Sequence, residues 1–523
     1  MLSSDGPGTG TLEKVGPPPM EPSMPLRGDR LGRFALVVVG IVAVLSVVRA
    51  FLPMEFLGDI WRPADTASIA HNFFVGGMHL FDPQIDWGGA GPGYVESELQ
   101  LLPWLSAVLY HVFGEHAWVG RLVSLAFMAI GTGTFWVLAR RLLPGAAARW
   151  ALIAFVVSPM VMTYGNAFMP DPTVLAFYLL TLLFFHKWLT DDRGIWLVAT
   201  AVAASIAALA KPTSLHVFLI LLIWLLISAR PRLRRPSLYV AGAVALIAPA
   251  LWLWHAHELY VQYGNTFGVI SGGDSKFGNL AIWTSSLFYT GNVSIEATLV
   301  YGIVGVPLAA VGAWLAWRGR GPVILAAGFP ALIVFYFAVA RYSSELGPQY
   351  HIFSLPFAAI LVGIGVAGIA QWLHGRVPGL VRGGLAVVTV ALLFAQSMII
   401  FVQSFQDHSG VYGVCSAELA QVSTPSDLVV ISTTSNAVDR GTANNFQEPT
   451  IFYLADRKGW SLAADQHQPS YLESYTKQGA KYFVVYAPLL VPAGSELADW
   501  LDTNAQQVRS ATDDGCDIWA LQK

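Results

Sequence analysis

Between about residue 34 and residue 403 one pattern repeats: a run of apolar residues, then a short polar break. A membrane-spanning helix needs about 20 mostly apolar residues, and about eleven runs approach that length. They cover roughly 34–53, 117–139, 149–165, 172–189, 195–210, 214–229, 238–254, 296–317, 322–340, 353–373 and 381–403. The pattern predicts a polytopic α-helical membrane protein with about 11 or more transmembrane helices. After about residue 406 the runs stop. LVVIS (428–432) and KYFVVY (481–486) read as buried strands, ELADWLDTNAQQV (496–508) as an amphipathic helix and CDIWAL (516–521) as a last strand. Residues 406–523 are therefore expected to form a small α/β domain.

The break between the first two runs is unlike the others. Residues 61–102 place Asp65, Asp82, Asp86, Glu96 and Glu98 in one polar insert. Within it, residues 66–74 and 98–113 have helical spacing, and the second stretch, with Trp104 and Tyr110, is apolar enough to lie in a membrane interface. Gly88, Gly89, Gly91, Pro92 and Gly93 between them predict irregular backbone.

Composition agrees with membrane embedding. The 523 residues are 55% hydrophobic and only 12% charged, about half the charge of an ordinary soluble domain. Residues 1–32, rich in Gly, Pro, Ser and Met in their first thirty positions, read as a disordered tail. The run that follows is too continuous for a signal-peptide core and lacks a clear small-residue cleavage site. Basic residues fall in every second break: Arg27, Arg30 and Arg33; Arg140, Arg141 and Arg149; Lys187 and Arg193; Arg230, Arg232, Arg234 and Arg235; Arg318 and Arg320; Arg376 and Arg382. This alternation predicts a cytoplasmic amino terminus. It puts the 54–116 loop, the turns at Met169, Lys211 and Arg341, and the C-terminal domain outside, in a membrane domain spanning 33–405. Cys415 and Cys516 would share that outer compartment, where a disulfide is permitted.

Five places on the outer face carry candidate chemistry. Asp65 opens the helical stretch TASIAHNF, so it fits a helix N-cap; a carboxylate just outside a membrane helix, beside other acids, equally suits a general base. Glu96 and Glu98 fit ligands for a hard divalent cation, groups that hold an acceptor, or solvated loop charges. Asp171, before Pro172, has the form of a helix start. Lys211, after a run of small residues, fits either a snorkelling side chain or a point charge for a phosphate. Arg341, Tyr342, Glu345, Tyr350 and His351 form a dense polar cluster: an interfacial belt, or a phosphate site carried by Arg341 and His351.

At these residues the chain resembles the bacterial branch of the GT-C glycosyltransferases, a group that includes lipid A aminoarabinose transferases and protein O-mannosyltransferases. The resemblance rests on W-R-P-A-D-T-x-x-x-I-A after the first helix, S-E-L near P-W-L, G-R-L-x-S-L opening the second span, M-P-D-P, A-K-P-T and Q-Y-H-I-F-S-L-P, in that order over roughly residues 35–405. It implies a glycosyltransferase that moves a hexose or pentose, with inversion, from a polyprenyl-phosphate donor to a glycan, lipid or protein acceptor outside the plasma membrane of a bacterium. Membrane lipid is a further implied partner, and nucleic acid is not. Asp65 would match the catalytic acid; relatives often carry an acidic pair there, where this chain has Ala64-Asp65, which leaves Asp59 as a rival base. Glu98 and Asp171, with Glu96 beside them, would match positions for a metal (Mg, Mn, Ca or Zn) or the acceptor. Lys211 would match a lysine that contacts the lipid phosphate, with Arg341, Tyr350 and His351 completing the donor-phosphate site. Two other readings remain: a flippase of lipid-linked glycans, which would need charges at mid-helix along a path through the bilayer, and a non-catalytic glycan-binding scaffold.

Overall fold

The computed structural model describes residues 30–54, 60–271, 277–319, 321–408, 410–439, 442–487, 490–511 and 515–521. Asp59 and residues 1–29 of the expected disordered tail fall outside these residues, while residues 30–32, expected in that tail, are helical and begin the first helix. Helix α1 (Arg30–Ala50) is followed by α2 (Trp61–Gly76), strand β1 (Val95–Glu96) and α3 (Leu101–Phe113), so the polar insert is built from two helices and a short strand. Then come α4 (Ala117–Leu142), α5 (Gly145–Val156), α6 (Pro159–Tyr164), α7 (Asp171–Asp191), α8 (Gly194–Ala210), α9 (Val217–Ser228) and α10 (Pro236–Tyr263). Strand β2 (Asn265–Thr266) pairs in parallel with β1. Helices α11 (Leu280–Trp283), α12 (Ser286–Ile295), α13 (Gly305–Gly319), α14 (Val323–Val339), α15 (Leu355–Leu373) and α16 (Gly379–Gln403) complete the helical part.

Each of the eleven apolar runs is largely helical, but length divides them. Among the described residues six helices are long and apolar enough to cross a membrane: α1, α4, α7, α10, α15 and α16. A seventh span exists if Ser286–Val300 and Gly305–Gly319, bent by 98° at their break, count as one. Helices α3, α5, α8 and α14 and the segment Pro212–Ser228 are apolar but shorter. The run 149–165 is one of those that break. Pro159 cannot donate a backbone hydrogen bond; Ser158 at the break accepts from Met160 N at 3.3 Å and donates to the Val300 carbonyl at 2.8 Å, so the break is also a joint between helices. Gly302, at φ +64°, turns the chain between α12 and α13. Helices α13 and α15 pack at glycine contacts: a Cβ on Gly312 would stand 1.9 Å from the Leu361 carbonyl oxygen.

The C-terminal part begins with α17 (Gly410–Val422) and strands β3 (Leu428–Ser432), β4 (Val438–Asp439) and β5 (Thr442–Ala443). It continues through α18 (Pro449–Ala455), β6 (Lys458–Leu462), α19 (Pro469–Lys477), β7 (Ala480–Val485), α20 (Glu496–Asn504), β8 (Gln506–Arg509) and β9 (Asp517–Ala520). Five strands form one sheet in the order β6-β3-β7-β9-β8, with β6, β3 and β7 parallel and β9 and β8 antiparallel. The expected strands at 428–432, 481–486 and 516–521 are present. The expected helix over 496–508 stops at Asn504, because Gln506–Arg509 pairs with β9 instead. Cys415 and Cys516 meet in the core as free thiols, and the Cys415 contact, then burial, pushes the Cys516 thiol up.

This sheet is bound to the polar insert through backbone. Gly89 N donates to the Gly459 carbonyl at 2.7 Å, and Gly459 N returns a bond to the Asp86 carbonyl at 2.9 Å. Glycine is required on both sides: a Cβ at Gly89 would lie 2.5 Å from Trp460 Nε1, and one at Gly459 1.8 Å from the Val429 carbonyl oxygen. Lys458 Nζ reaches Asn72 Oδ1 at 2.8 Å, and Trp61 Nε1 donates to the Gln447 carbonyl at 2.7 Å.

Candidate active site

Helix α2 starts four residues before Asp65, with Ile60 at its N-cap and no side-chain cap bond. The N-cap reading of Asp65 therefore fails. Pro63 is tolerated in the first turn, where no amide hydrogen is needed, and the helix that results sets Arg62 and Asp65 on one face, three residues apart. Asp65 is completely buried. Trp87 Nε1 donates to its Oδ1 at 3.0 Å, while Oδ2 lies 3.8 Å from Arg62 and has no hydrogen-bond partner. Burial pushes the Asp65 carboxyl up to about 7, against the opposing pull of Arg62 and the Trp87 hydrogen bond.

Arg62 was not singled out by the sequence, although it sits inside the W-R-P-A-D string. It pairs with Glu98 as well as Asp65, and its guanidinium lies 4.8 Å from the centre of the Phe267 ring. Burial alone would lower this guanidinium, but Glu98, then Asp65 and Asp171, hold it above its ordinary value. Across the site, Lys211 Nζ donates to Asp171 Oδ1 at 2.7 Å and stands 4.1 Å above the Tyr350 ring. Asp171 begins α7 without capping it through its side chain; its carboxylate is turned to Lys211, and Oδ2 is buried without a partner.

These two ion pairs, Arg62–Glu98 and Lys211–Asp171, line a cavity of about 570 Å³. The remaining wall is mostly apolar, with Leu215 and Leu219 on one side and Val334, Phe335, Ala338 and Val339 of α14 on the other. Buried charges need partners, so each cation holding one carboxylate is the arrangement expected before a charged ligand enters.

The other candidates are placed elsewhere. Glu96 is buried with its carboxylate consumed by the 266–271 turn, accepting from Ile270 N at 2.7 Å, Ser271 N at 3.1 Å and Thr266 Oγ1 at 3.1 Å. His351 is fully buried between Glu296 Oε1, 2.9 Å from Nδ1, and the Ser343 carbonyl, 2.8 Å from Nε2. It joins the segment between α12 and α13, through Glu296, to the turn after α14, through Ser343, and lines neither of the cavities described here. Arg341 pairs with Asp439 at 2.9 Å and lines a second cavity of about 430 Å³, between the turn after α14 and the 435–445 segment. The expected donor-phosphate group is thus divided, with Lys211 and Tyr350 in the first cavity, Arg341 in the second and His351 in neither. Trp61, Tyr342, Leu346 and Asn445 line both cavities.

The acids do not fit a cation site. Glu98 and Asp171 each face a basic side chain and Glu96 is turned away, and among the described residues no group of three or more His, Cys, Asp or Glu gathers around one point.

Comparison with known proteins bears on the whole chain. Residues 100–255 match the family model described as dolichyl-phosphate-mannose-protein mannosyltransferase. No curated protein matches the chain. Among solved structures, ArnT from Cupriavidus metallidurans bound to undecaprenyl phosphate superposes with a TM-score of 0.63 at 19% identity, over 93% of this chain and 98% of that one. AglB from Archaeoglobus fulgidus, in complex with an inhibitory peptide and a dolichol-phosphate, gives 0.56 at 14% identity over 86% and 69%. The arabinofuranosyltransferase AftD from Mycobacteria gives 0.54 at 15% identity over 94% and 40%. The resemblance to the GT-C glycosyltransferases therefore holds in three dimensions: this chain has their fold along nearly its whole length, with the mannosyltransferase model matching inside it.

Proposed function

We propose that the protein is a multi-pass membrane glycosyltransferase that moves a sugar, with inversion, from a polyprenyl-phosphate donor to an acceptor hydroxyl. One observation carries this reading: two cations, Arg62 and Lys211, stand with their carboxylate partners at the charged part of a cavity whose remaining wall is mostly apolar. Such a cavity suits an amphiphile with an anionic head and a hydrocarbon tail. The structures of ArnT bound to undecaprenyl phosphate and of AglB in complex with a dolichol-phosphate support the same class of donor.

In this reading the donor phosphate takes the place of a carboxylate beside Lys211 and Arg62, while Tyr350 keeps the ammonium over its ring. The acceptor oxygen attacks the anomeric carbon, the carbon–oxygen bond to phosphate breaks, and its electron pair stays on the departing phosphate. Fixed positive charge at that oxygen lowers the barrier without reorganisation. Asp65, behind Arg62, takes the acceptor proton, and its value of about 7 lies close to the optimum for a base near neutral pH. Glu98 and Asp171 hold the two cations in position between turnovers. No step is assigned to a metal, because the acids are already matched to Arg62 and Lys211. The alternating basic breaks support a site on the outer face of a bacterial plasma membrane.

The test is transfer from a panel of radiolabelled polyprenyl-phosphate sugars by membranes holding the native chain or Asp65→Asn at equal expression. Label reaching an acceptor in the native sample alone supports both the reaction and its base. Transfer that survives the substitution removes Asp65 as base and turns attention to Asp59. No transfer from any donor in the panel overturns the enzyme reading in favour of a flippase or scaffold.

A further inference from the structure

The second cavity has a composition that the donor site does not explain. Its walls are Trp61 and Tyr342 with Arg341, Asp439, Ser435 and the amides of Asn436, Asn444 and Asn445. At about 430 Å³ it falls within the usual range for a small-molecule site. Side-chain amides donate and accept at once, which is what neighbouring hydroxyls of a sugar require. Aromatic faces carry negative charge that attracts the C–H edges of a sugar ring. The ring of Trp61 is fixed for this purpose, since its N–H is tied to the Gln447 carbonyl at 2.7 Å. Asn444 Nδ2 donates to the Asn436 carbonyl at 2.9 Å, which holds the two asparagines together across the β4–β5 turn. Arg341 Nη2 is paired with Asp439, and its Nε is shut from solvent and has no partner.

We infer that this cavity binds the saccharide part of the acceptor. The inference rests on the glycosyltransferase reading and extends it by naming the acceptor as a glycan hydroxyl rather than a serine or threonine. The shared wall supplies the geometry. Trp61, Tyr342, Leu346 and Asn445 line both cavities, so a sugar in the second meets a donor head group in the first. The reaction balances as before: the glycan oxygen bonds to the anomeric carbon, the polyprenyl phosphate leaves with the electron pair, and the glycan proton passes to Asp65. The C-terminal segment thereby acquires a role, because Ser435, Asn436, Asp439, Asn444 and Asn445 all belong to it.

The test uses the full chain in nanodiscs and two independent readouts. Saturation-transfer NMR is recorded with methyl α-mannopyranoside, methyl α-arabinofuranoside and methyl β-galactopyranoside, with long-chain alkyl glycosides of the same sugars, and with a Ser/Thr peptide. Binding of radiolabelled undecaprenyl phosphate is measured in parallel. The expected result is saturation of ring protons of at least one saccharide, weakened about tenfold in Asn436→Ala and in Asn444→Ala with undecaprenyl phosphate binding unchanged. Asn436 is exposed, so its truncation does not threaten the fold. Binding of the alkyl glycoside alone assigns the saccharide to a glycolipid, and binding of the methyl glycoside as well assigns it to a free glycan chain. Saturation of the peptide alone, of no saccharide, or of saccharides equally in native and variant protein overturns the inference. Failure to bind undecaprenyl phosphate instead overturns the donor reading, and the saccharide result still stands on its own.

Discussion

The two cavities share a wall and differ in chemistry. The first sets Arg62, Glu98, Lys211 and Asp171 against apolar side chains, whereas the second relies chiefly on neutral amides, a hydroxyl and aromatic rings. Full charges in the first are costly to bury and remain because each has a partner; amides in the second need only orient hydroxyls. The contrast suggests a division of labour in which one cavity manages charge that changes during the reaction and the other manages fit. The strongest way to break it is at the proposed proton acceptor, Asp65, which lines neither cavity and lies buried against Arg62 of the first. Asp65→Asn keeps the shape and the Trp87 contact but removes the base, and kcat is expected to fall by about 10²- to 10⁴-fold with donor affinity little changed. A loss confined to donor affinity would place Asp65 with the charge-managing groups instead.

The next largest effect belongs to Lys211. Lys211→Ala leaves Asp171 buried without its cation and removes positive charge from the leaving phosphate, so kcat/KM is expected to fall by about 10²- to 10³-fold. Arg62→Ala tests the partner cation in the same way through Glu98. If acceptor affinity fell while donor affinity held, the two cavities would have exchanged roles.

How much of this was readable beforehand follows from the range of the interactions involved. Apolar runs and their breaks are local, so the helices of the apolar runs were visible, as were α2, α3, α20, β3, β7 and β9; α11, α12 and α17–α19, which lie outside those runs, were not. Strand β6, KGWSL, was not visible, because it is short and polar and earns its place by pairing with β3. The site itself is made of distant pairs: Arg62 with Glu98, Lys211 with Asp171. Lys211, Asp171 and Glu98 could be suspected as ionisable groups at an apolar boundary, but nothing local said that each acid would face a base. Arg62, inside the W-R-P-A-D string, carried no local sign that it would face Glu98. Glu96 and Glu98, two residues apart, looked equivalent, and only the 266–271 turn, about 170 residues later, separates a structural acid from a cavity acid. His351 is set apart from Lys211 and Arg341 for the same reason, since its partner is Glu296, 55 residues earlier.

A finer test of the contrast uses pH. Burial raises Asp65 to about 7, so below that value the carboxyl is protonated and cannot act as base; kcat/KM is expected to rise with pH through about 7. The Trp87 hydrogen bond favours the charged form, and Trp87→Phe is expected to move this limb to higher pH by up to about one unit. The stability sign is opposite to that of an ordinary paired acid. A folded value above the unfolded one means that the Asp65 contribution is present below about 4 and lost as pH rises through about 7. Asp65→Asn should therefore flatten the fall in thermal stability over that window while abolishing the pH–rate limb. A limb that stays in place in Asp65→Asn would assign it to another group.

The smallest expected effect concerns the pair that joins the second cavity to the helical part. Arg341 and Asp439 meet at 2.9 Å, with Asp439 about a third exposed. Solvent screening at such a site leaves little energy in the pair, so a double-mutant cycle with Arg341→Ala and Asp439→Ala should give a coupling of under about 1 kcal/mol in thermal unfolding. The attachment of the sheet does not depend on this pair, because the Gly89–Gly459 backbone bonds and the Trp61–Gln447 bond carry it as well. Acceptor binding is expected to respond more than stability does, since Arg341 lines the second cavity while its ion pair is partly exposed. A large stability coupling with unchanged acceptor affinity would make the pair a structural clasp, and the second cavity would then need Trp61, Tyr342 and the asparagines alone to hold a sugar.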